Sequence, residues 1–392
     1  MAMYGFRNGV QTMAKKKLII PVFFFAQHGG LHEYVVATIE AALNSGWDVG
    51  IICRDGEFLN ERLNGFPIEK FAIDYEDDNH RAHAIDYLTT ADVIHAHPGA
   101  SREIAVEASK RSGVPVVMTL HGRWTDAVYR YHKYLNKIIC VSEAVSDLVK
   151  SYNINVDDKL LVVPNGVRLP DNWLNKIENT YSIFERINFK NRNKKIITVV
   201  SRYDSDKRVL VDLIKGLFKE QRIRGERRLV WNVVGDGSIL NEIKDEAQVF
   251  VDYYATPLAE FKGWLNEDKV LEEISKSCAC LASGRGAIQA LSMGKPTIAA
   301  ASVGCEVILN KNDFIRASYS NFGGLGAETE YDVQVIFDEM LSAAINPQEG
   351  FGYSARKFIE DNYDQEKLDR RLIDVYESAL LKPDAHANAI PV

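Results

Sequence analysis

Short apolar runs alternate with amphipathic segments along most of the chain. The apolar runs are typical of strands that are buried on both faces of a sheet. Between them, apolar residues recur every three or four positions, which is typical of helices that cover such a sheet. The pattern therefore predicts an α/β fold with parallel sheets flanked by helices.

The first half of the chain contains several predicted strands. They read LIIPVFFF, DVGIIC, ADVIHAH, VPVVMTLH, KIICVS and LLVVP. Between the first two, Val35 and Ile39 fall on one helical face, and Gly46 stands where that helix would stop. This order predicts a Rossmann-like, doubly wound domain over residues 1–172, with residues 1–15 as a loose tail.

A second domain is predicted after a polar, Asn-rich stretch from about Asp171 to Lys195, which we interpret as a linker with a short helix. Its strands read KKIITVV, RRLVWNVVG, CACLAS and KPTIAAA, and the domain is predicted to span residues 173–364. Sheets of this kind bind ligands beyond the carboxyl ends of their strands, so two facing sheets predict an interdomain cleft. Residues 353–381 are helical by their period, which leaves open the domain on which they pack.

Length and charge agree with this division. A chain of 392 residues exceeds what one core usually supports. The formal net charge of −7 argues against a nucleic-acid partner, because such proteins carry a basic balance. The five cysteines are odd in number and none are spaced C-x-x-C, so we expect buried, reduced thiols and neither a disulfide framework nor a zinc site.

One segment imitates a signal peptide. The sequence MAKKKLIIPVFFFAQHGG places three lysines before an apolar run, but it lacks a small-residue cleavage site and continues into an amphipathic helix. We interpret the run as a buried first strand. No apolar stretch approaches the roughly 18 residues of a membrane span, so a cytoplasmic location is expected.

Two cations follow the first strand of the second domain, in VSRYDSDKR. Arg202 and Lys207 at a strand end suit a ligand with several negative charges, such as a diphosphate. The alternative is that they are ordinary surface charges. Asp204 and Asp206 form a D-x-D pair of the kind that binds metal, but the flanking cations already supply positive charge, so we expect no metal.

Glycine-rich turns follow three other predicted strands. In VVGDGS, Gly235 precedes a helix start, and in LASGRGAIQALSMG the residues 284–286 do the same. Each turn presents free backbone N–H groups at a helix N-terminus, where an anion binds readily. Gly29 and Gly30 would let a ligand approach the backbone closely.

Histidines end two strands of the first domain. His95 lies in an apolar run and is interpreted as a core residue, while His97 follows it in VIHAHPG. His121 ends its strand directly before Gly122, so it is the better candidate for a functional residue. A G-x-S-x-G elbow, a Walker A loop and an H-E-x-x-H motif are all absent from the sequence.

Together these segments resemble the retaining glycosyltransferases of family 4, which have the GT-B fold, over about residues 16–381. The matching segments are Gly29-Gly30, ADVIHAH, PVVMTLHG, IICVSEAVSDLV, VVPNGV, SRYDSDK, VVGDGS, FKGWL and ALSMGKPTIA. The resemblance implies a hexosyltransferase that moves a sugar from a nucleotide-sugar, expected to be a UDP-sugar, to a glycan, lipid-linked or polysaccharide acceptor of the cell envelope. Retention of configuration, independence of metal and return of the C-terminal helix 365–382 to the first domain are also implied.

The resemblance assigns site residues as well. Catalytic roles fall on His121, Arg202 and Lys207. Contacts with the donor fall on Gly29, Gly30, Gly235, Gly263, Trp264, Gly284, Arg285, Gly286, Ala287, Ile288 and Gln289. The acceptor side falls on His97, Arg123, Ser142 and Glu143.

The chain departs from the family at one place. The family carries two glutamates there, where this sequence has Leu281 and Gln289. An amide both donates and accepts hydrogen bonds, so Gln289 can still bind hydroxyl groups, but Leu281 cannot replace a carboxylate. We expect Arg285 to compensate by binding a phosphate or an acidic sugar.

Two other functions remain open: a degenerate member that binds nucleotide or glycan without turnover, and a nucleotide-sugar 2-epimerase of related architecture. A further alternative concerns the aromatic and basic segment 122–137, GRWTDAVYRYHKYLNK. It is either an ordinary helix with a solvated basic face or a peripheral contact with the inner face of the membrane.

Overall fold

The computed structural model describes residues 15–24, 29–169, 194–310, 312–346 and 348–381. Within these residues, two mainly parallel sheets are each flanked by helices. The predicted fold class is therefore confirmed. The predicted tail and the predicted linker with its short helix lie largely outside the described residues, as does the predicted boundary at residue 172.

The first sheet has the strand order β3-β2-β1-β4-β5-β6-β7, and all its described pairings are parallel. The order reverses direction beside β1, so the strand ends there form a crevice. The strands are β1 (Lys17–Pro21), β2 (Asp48–Cys53), β3 (Glu69–Ala72), β4 (Val93–Ala96), β5 (Val116–Leu120), β6 (Lys137–Cys140) and β7 (Leu160–Val162).

Helices cover both faces of this sheet. They are α1 (Gly30–Asn44), α2 (Asp78–Leu88), α3 (Ala100–Ser112) and α4 (Glu143–Lys150). Apolar side chains form one buried cluster on each face, because alternate residues of a strand point to opposite faces. The sheet is thus held by two cores.

The second sheet has the order β10-β9-β8-β11-β12-β13, in which only the last pairing is antiparallel. Its strands are β8 (Lys195–Val200), β9 (Leu229–Val234), β10 (Ala259–Gly263), β11 (Ala279–Ala282), β12 (Thr297–Ala300) and β13 (Cys305–Ile308). Its helices are α5 (Arg208–Arg224), α6 (Leu240–Tyr254), α7 (Glu267–Ser275), α8 (Arg285–Ser292), α9 (Asp313–Tyr319), α10 (Val333–Ile345) and α11 (Phe351–Asn362).

The helical prediction for residues 353–381 holds apart from a break between two helices. The chain forms α11 and then α12 (Gln365–Leu380), with a break at Tyr363 and Asp364. The break is stabilised because the N–H of Val167 donates to the carbonyl of Tyr363 and Asp364 caps the new helix at the N–H of Glu366.

The last helix packs on the first domain. Leu368, Leu372 and Tyr376 belong to the core cluster that contains β1 and α1. The ring of Tyr376 also meets Trp47 edge to face, with ring centroids 5.8 Å apart. The C-terminal helix α12 is therefore part of the hydrophobic core of the first domain.

Three observed strands were not predicted. β3 is a charged edge strand, EKFA, of which no residue is buried, so it shows no apolar run. β10 and β13 also lie at or near sheet edges and carry charged residues. The predicted first strand extends beyond the observed one, which ends at Pro21.

The described cysteines are free thiols, and all but Cys278 are buried, as expected. Within the described parts of the chain, no helix combines the length and the apolarity needed to cross a lipid bilayer.

Candidate functional site

A cleft of about 1010 Å³ lies between the carboxyl ends of the two sheets. Its walls come from both halves of the chain, including α1, the end of β5, the loops after β8 and β9, and α8. A volume of this size is large enough for a nucleotide-sized ligand. The predicted interdomain cleft is therefore present.

Arg202 and Lys207 lie together in the wall formed by the second domain. The guanidinium of Arg202 donates to Asp204 at 2.6 Å and to Asp206 at 2.9 Å. The ammonium of Lys207 donates to the hydroxyl of Ser302 at 3.2 Å. Burial lowers the pKa of Lys207, and the nearby carboxylate of Asp206 opposes that shift.

The turn at Gly235 is locked against the loop that carries Arg202. Gly235 has φ +116°, and an added Cβ would lie 1.8 Å from the carbonyl oxygen of Ser201, so only glycine fits. The carboxylate of Asp204 also accepts from the backbone N–H of Ser238 at 2.9 Å. The two loops therefore form one rigid wall.

The turn that precedes α8 explains the unusual composition of LASGRGAIQALSMG. Gly284 adopts φ +51° and ψ −124°, and its N–H donates to the carbonyl of Phe322 at 3.0 Å. A bulky residue would be strained in this conformation. The turn places the N-terminus of α8, which is the positive end of the helix dipole, in the cleft wall.

Glu267, at the start of α7, is a cleft residue that the sequence analysis missed. Its oxygen Oε1 accepts from Arg285 at 2.8 Å and from Gln289 at 2.9 Å. The guanidinium of Arg285 also donates to the carbonyl of Gly166 at 3.1 Å. A phosphate would therefore have to compete with the carboxylate of Glu267 for the guanidinium of Arg285, which was expected to bind it.

The first-domain wall contains Gly29 and Gly30 at the N-terminus of α1. An added Cβ at either glycine would meet nothing within 4 Å, so the space beside the backbone is open. His121 also lines this wall, directly after β5. The ring of Tyr34 packs edge to face against His121, with centroids 4.9 Å apart.

A chain of buried polar side chains lies behind His121. Nδ1 of His97 is 3.0 Å from Nε2 of His121. His95, buried as predicted, bonds Thr119 at 2.7 Å and Tyr376 at 2.6 Å. Burial lowers the pKa of His95 to about 3, that of His121 to about 4 and that of His97 well below its ordinary value. The three imidazoles are therefore neutral near pH 7.

The predicted residues divide into two groups. Those that line the cleft are Gly29, Gly30, His121, Arg202, Lys207, Gly235, Trp264, Gly284, Arg285, Gly286 and Gln289. Those that do not are His97, Arg123, Ser142, Glu143, Gly263, Ala287 and Ile288.

The second group has structural explanations. Ser142 caps α4 by accepting from the N–H of Val145. Ala287 and Ile288 belong to the core beneath α8. The carbonyl of Gly263 accepts from the N–H of Gly235, so it supports the wall. His97 is fully buried, and Arg123 and Glu143 are exposed outside the cleft.

The first-domain wall also contains charged residues that no motif indicated. Arg62 donates to Glu33 at 3.1 Å, and both line the cleft. Asp369 on α12 lines it too, and burial raises the pKa of its carboxyl group. Sequence spacing offers no means of finding them, because Arg62 and Asp369 reach the cleft from segments far apart in the chain.

Comparisons with known proteins agree with this architecture. Residues 28–169 match the sequence model of Glycosyltransferase Family 4. A relative, the alpha-monoglucosyldiacylglycerol synthase of Streptococcus pneumoniae, is 27% identical over 181 residues, which are 40% of this chain and 39% of that protein. The chain thus matches well under half of the length of that relative.

Solved structures match over nearly the whole chain. A glycosyltransferase from Rickettsia africae superposes with a TM-score of 0.70 at 18% identity, covering 94% of this chain and all of that one. HepE from Anabaena, solved with UDP and glucose, gives 0.69 at 16% identity, covering 93% of this chain and 100% of that one. At these identities the likeness shows the shared two-domain fold.

Proposed function

We propose that this chain transfers a hexose-type sugar from a UDP-sugar to an acceptor hydroxyl, and the match of residues 28–169 to the model of Glycosyltransferase Family 4 supports this proposal. The acceptor is a glycan, a lipid-linked sugar or a growing polysaccharide. The configuration at the transferred carbon is retained, and no metal takes part. The protein works on the cytoplasmic side of the membrane, free or in peripheral contact with it.

One observation carries the proposal. Arg202, Lys207 and the N-terminus of α8 line one wall of the cleft, opposite the glycines of α1 and His121. Two cations and free backbone N–H groups suit a pyrophosphate, which carries charge on several oxygens. A sugar bonded to that pyrophosphate would extend toward the opposite wall.

The reaction follows from this placement. As the bond between sugar and diphosphate breaks, negative charge develops on the leaving phosphate oxygen. Arg202 and Lys207 stabilise that charge, and one such fixed donor is worth about 3 kcal/mol. The acceptor hydroxyl attacks from the side of the departing phosphate, which takes up its proton, so the new bond has the configuration of the old one.

His121 would contact the sugar as a neutral group. Burial lowers the pKa of its imidazole to about 4. A neutral ring does not repel the positive charge that develops on the sugar, and it can hydrogen-bond a hydroxyl group. A charged imidazolium at this place would oppose the reaction.

Support for a uracil base comes from HepE, which was solved with UDP. In this chain the side chain of Trp264 lines the cleft and is 48% exposed, so it offers a stacking surface for a base. Support for a lipid-linked acceptor comes from the streptococcal relative, whose name describes a glucosyl diacylglycerol product.

Independence of metal is supported by the D-x-D pair. Asp204 and Asp206 both accept from Arg202, and Asp204 also binds the turn at Ser238. Each carboxylate therefore already has a cationic partner within the protein.

A contact with the membrane is favoured by one surface. Trp124 and Tyr129 are 49% and 44% exposed and lie among Arg123, Arg130 and Lys133, which are also exposed. Aromatic and basic side chains together bind the interface of anionic bilayers. Cosedimentation with anionic vesicles at low salt, absent with neutral vesicles, would support this contact, and equal behaviour with both would contradict it.

The function is tested by incubating the protein with UDP-glucose and a lipid extract, and by measuring free UDP together with the glycosylated product. Transfer is expected to release UDP only when acceptor is present, and Arg202→Ala should reduce the rate. Binding of UDP-sugars without turnover would favour the degenerate member. A changed sugar with no acceptor consumed would favour the epimerase.

A further inference from the structure

Glu267 reaches the cleft from a helix that carries none of the predicted site residues. It occupies the first turn of α7, whose N-terminus is capped by Asn266 through the N–H of Lys269. A carboxylate at this position is favoured by the positive end of the helix dipole. Its side chain is 32% exposed and is therefore held in the cleft wall and only partly hydrated.

One oxygen of this carboxylate holds two residues of α8. Oε1 of Glu267 accepts from Arg285 at 2.8 Å and from Nε2 of Gln289 at 2.9 Å. Gln289 is only 7% exposed, so its amide has few other partners for its N–H groups. The three side chains form a compact cluster in the cleft wall.

The carboxylate decides which end of the Gln289 amide faces the cleft. An amide can present either its NH₂ group or its carbonyl oxygen to a ligand. An ionised carboxylate can only accept, so the NH₂ group must turn toward Glu267. The carbonyl oxygen of Gln289 is then the group available to a ligand in the cleft.

The same carboxylate fixes Arg285. The guanidinium donates to Glu267 and to the carbonyl of Gly166, so both of its described contacts are within the protein. Its charge is therefore balanced by Glu267 where it stands.

We propose that Glu267 is a positioning residue that makes Gln289 a fixed hydrogen-bond acceptor for a hydroxyl group of the donor nucleotide. This inference rests on the proposed donor site. The chain thereby keeps an acceptor at position 289 without a carboxylate there, and the negative charge is moved to α7, where it also balances Arg285.

The first test measures how the protein discriminates hydroxyl groups. Calorimetric titration compares UDP with 2′,3′-dideoxy-UDP, which lacks both ribose hydroxyls. The parent is expected to prefer UDP by about tenfold, and Glu267→Gln should reduce the preference to about twofold, because an amide at 267 no longer dictates the orientation of Gln289. The exchange variant Glu267→Gln/Gln289→Glu should restore it, since the amide then donates to a carboxylate whose second oxygen faces the cleft.

The matched control is Glu272→Gln. Glu272 lies on the same helix and forms an ion pair with Lys276 at 2.8 Å, outside the cleft. This variant should prefer UDP over 2′,3′-dideoxy-UDP as strongly as the parent does. If Glu267→Gln also shows the preference of the parent, the positioning role of Glu267 is wrong, whatever the affinity of that variant for UDP.

A second measurement does not depend on nucleotide. Urea unfolding is measured for the parent, for Glu267→Gln, for Gln289→Glu and for the exchange variant that combines them. These four proteins form a double-mutant cycle. Each single variant should be destabilised, and the exchange variant should recover part of the loss. Additive effects would overturn the proposal. If the parent binds neither nucleotide, the proposed function is wrong. The double-mutant cycle would still test whether Glu267 and Gln289 interact.

Discussion

Nδ1 of His97 lies 3.0 Å from Nε2 of His121, so a buried imidazole supports the one that faces the cleft. Because one ring must donate and the other accept, the contact requires that at least one of them carries no extra proton. Burial keeps both neutral and lowers the pKa of His121 to about 4. The orientation of His121 therefore depends on a residue that does not line the cleft.

Acid should destabilise the protein through these histidines. An unfolded histidine takes up a proton near pH 6.5, whereas the folded pKa values are about 3 for His95 and about 4 for His121. Between these values the unfolded chain binds more protons, so the free energy of unfolding falls as the pH drops from about 6.5 toward 4. Each buried histidine contributes up to about 1.4 kcal/mol per pH unit.

Urea unfolding at several pH values from 7 to 5 measures this dependence. Glu306 and Asp369 have raised pKa values and act in the opposite direction, so the parent and a variant must be compared. In the His121→Asn variant, the free energy of unfolding should change less steeply with pH than in the parent, by the contribution of one histidine. An unchanged slope would show that His121 is protonated equally in both states.

The two cations of the second-domain wall should carry affinity for nucleoside diphosphate. Replacing Arg202 or Lys207 by Ala removes a charge-assisted contact worth about 1.5–3 kcal/mol, so the Kd for UDP should rise by roughly 10- to 100-fold. Titration calorimetry measures the change. Arg208→Ala is the matched control, because Arg208 pairs with Glu242 and does not line the cleft.

Gly235 should not tolerate a side chain. Alanine there would combine a φ of +116° with a Cβ 1.8 Å from the carbonyl oxygen of Ser201. The cost should exceed about 2 kcal/mol in the free energy of unfolding, and nucleotide binding should weaken because the wall shifts. Gly122→Ala, where a Cβ meets nothing within 4 Å, should be far milder in thermal unfolding.

Tyr376→Phe should weaken the attachment of α12 to the first domain. The change removes the hydroxyl 2.6 Å from Nδ1 of His95 and leaves a buried ring nitrogen without that partner. The expected loss is about 1–3 kcal/mol, measured by urea unfolding. Tyr253→Phe serves for comparison, because Tyr253 is 72% exposed and its replacement should change stability by less than about 0.5 kcal/mol. Equal effects would contradict the buried contact.

Chelators should leave the transfer reaction unaffected. Asp204→Asn should weaken UDP binding because it disturbs the second-domain wall of the cleft, not because it removes a metal ligand. The substitution weakens the contacts of Asp204 with Arg202 and with the N–H of Ser238. The Kd for UDP should therefore change equally with and without EDTA. Loss of activity in EDTA that Mg²⁺ or Mn²⁺ restores would contradict independence of metal.

Much of the fold could be predicted because buried parallel strands leave a strong pattern. DVGIIC is an observed strand at its predicted bounds, since nearly every residue in it is buried. β3 was missed because an exposed edge strand needs no apolar residues. The apolar period of residues 353–381 does not show the break at Tyr363, because the backbone of Val167, almost two hundred positions earlier, stabilises it.

The site was predictable only where local geometry demands a residue type. Gly235 and Gly284 are glycines because of their backbone angles, and such turns are visible in a sequence. Glu267 was not visible, because NEDKVLEE has the composition of any solvated helix start. Its role depends on α7 and α8 lying side by side, which no spacing along the chain indicates.

The segment around Val167 lies beside the segment through which the chain returns to the first domain. Val167 pairs with Asp364, and the N–H of Gln365 donates back to the carbonyl of Val167 at 3.1 Å. The two segments are so close that a Cβ added at Gly166 would lie 2.9 Å from Cα of Gln365, so a larger residue there would force them apart.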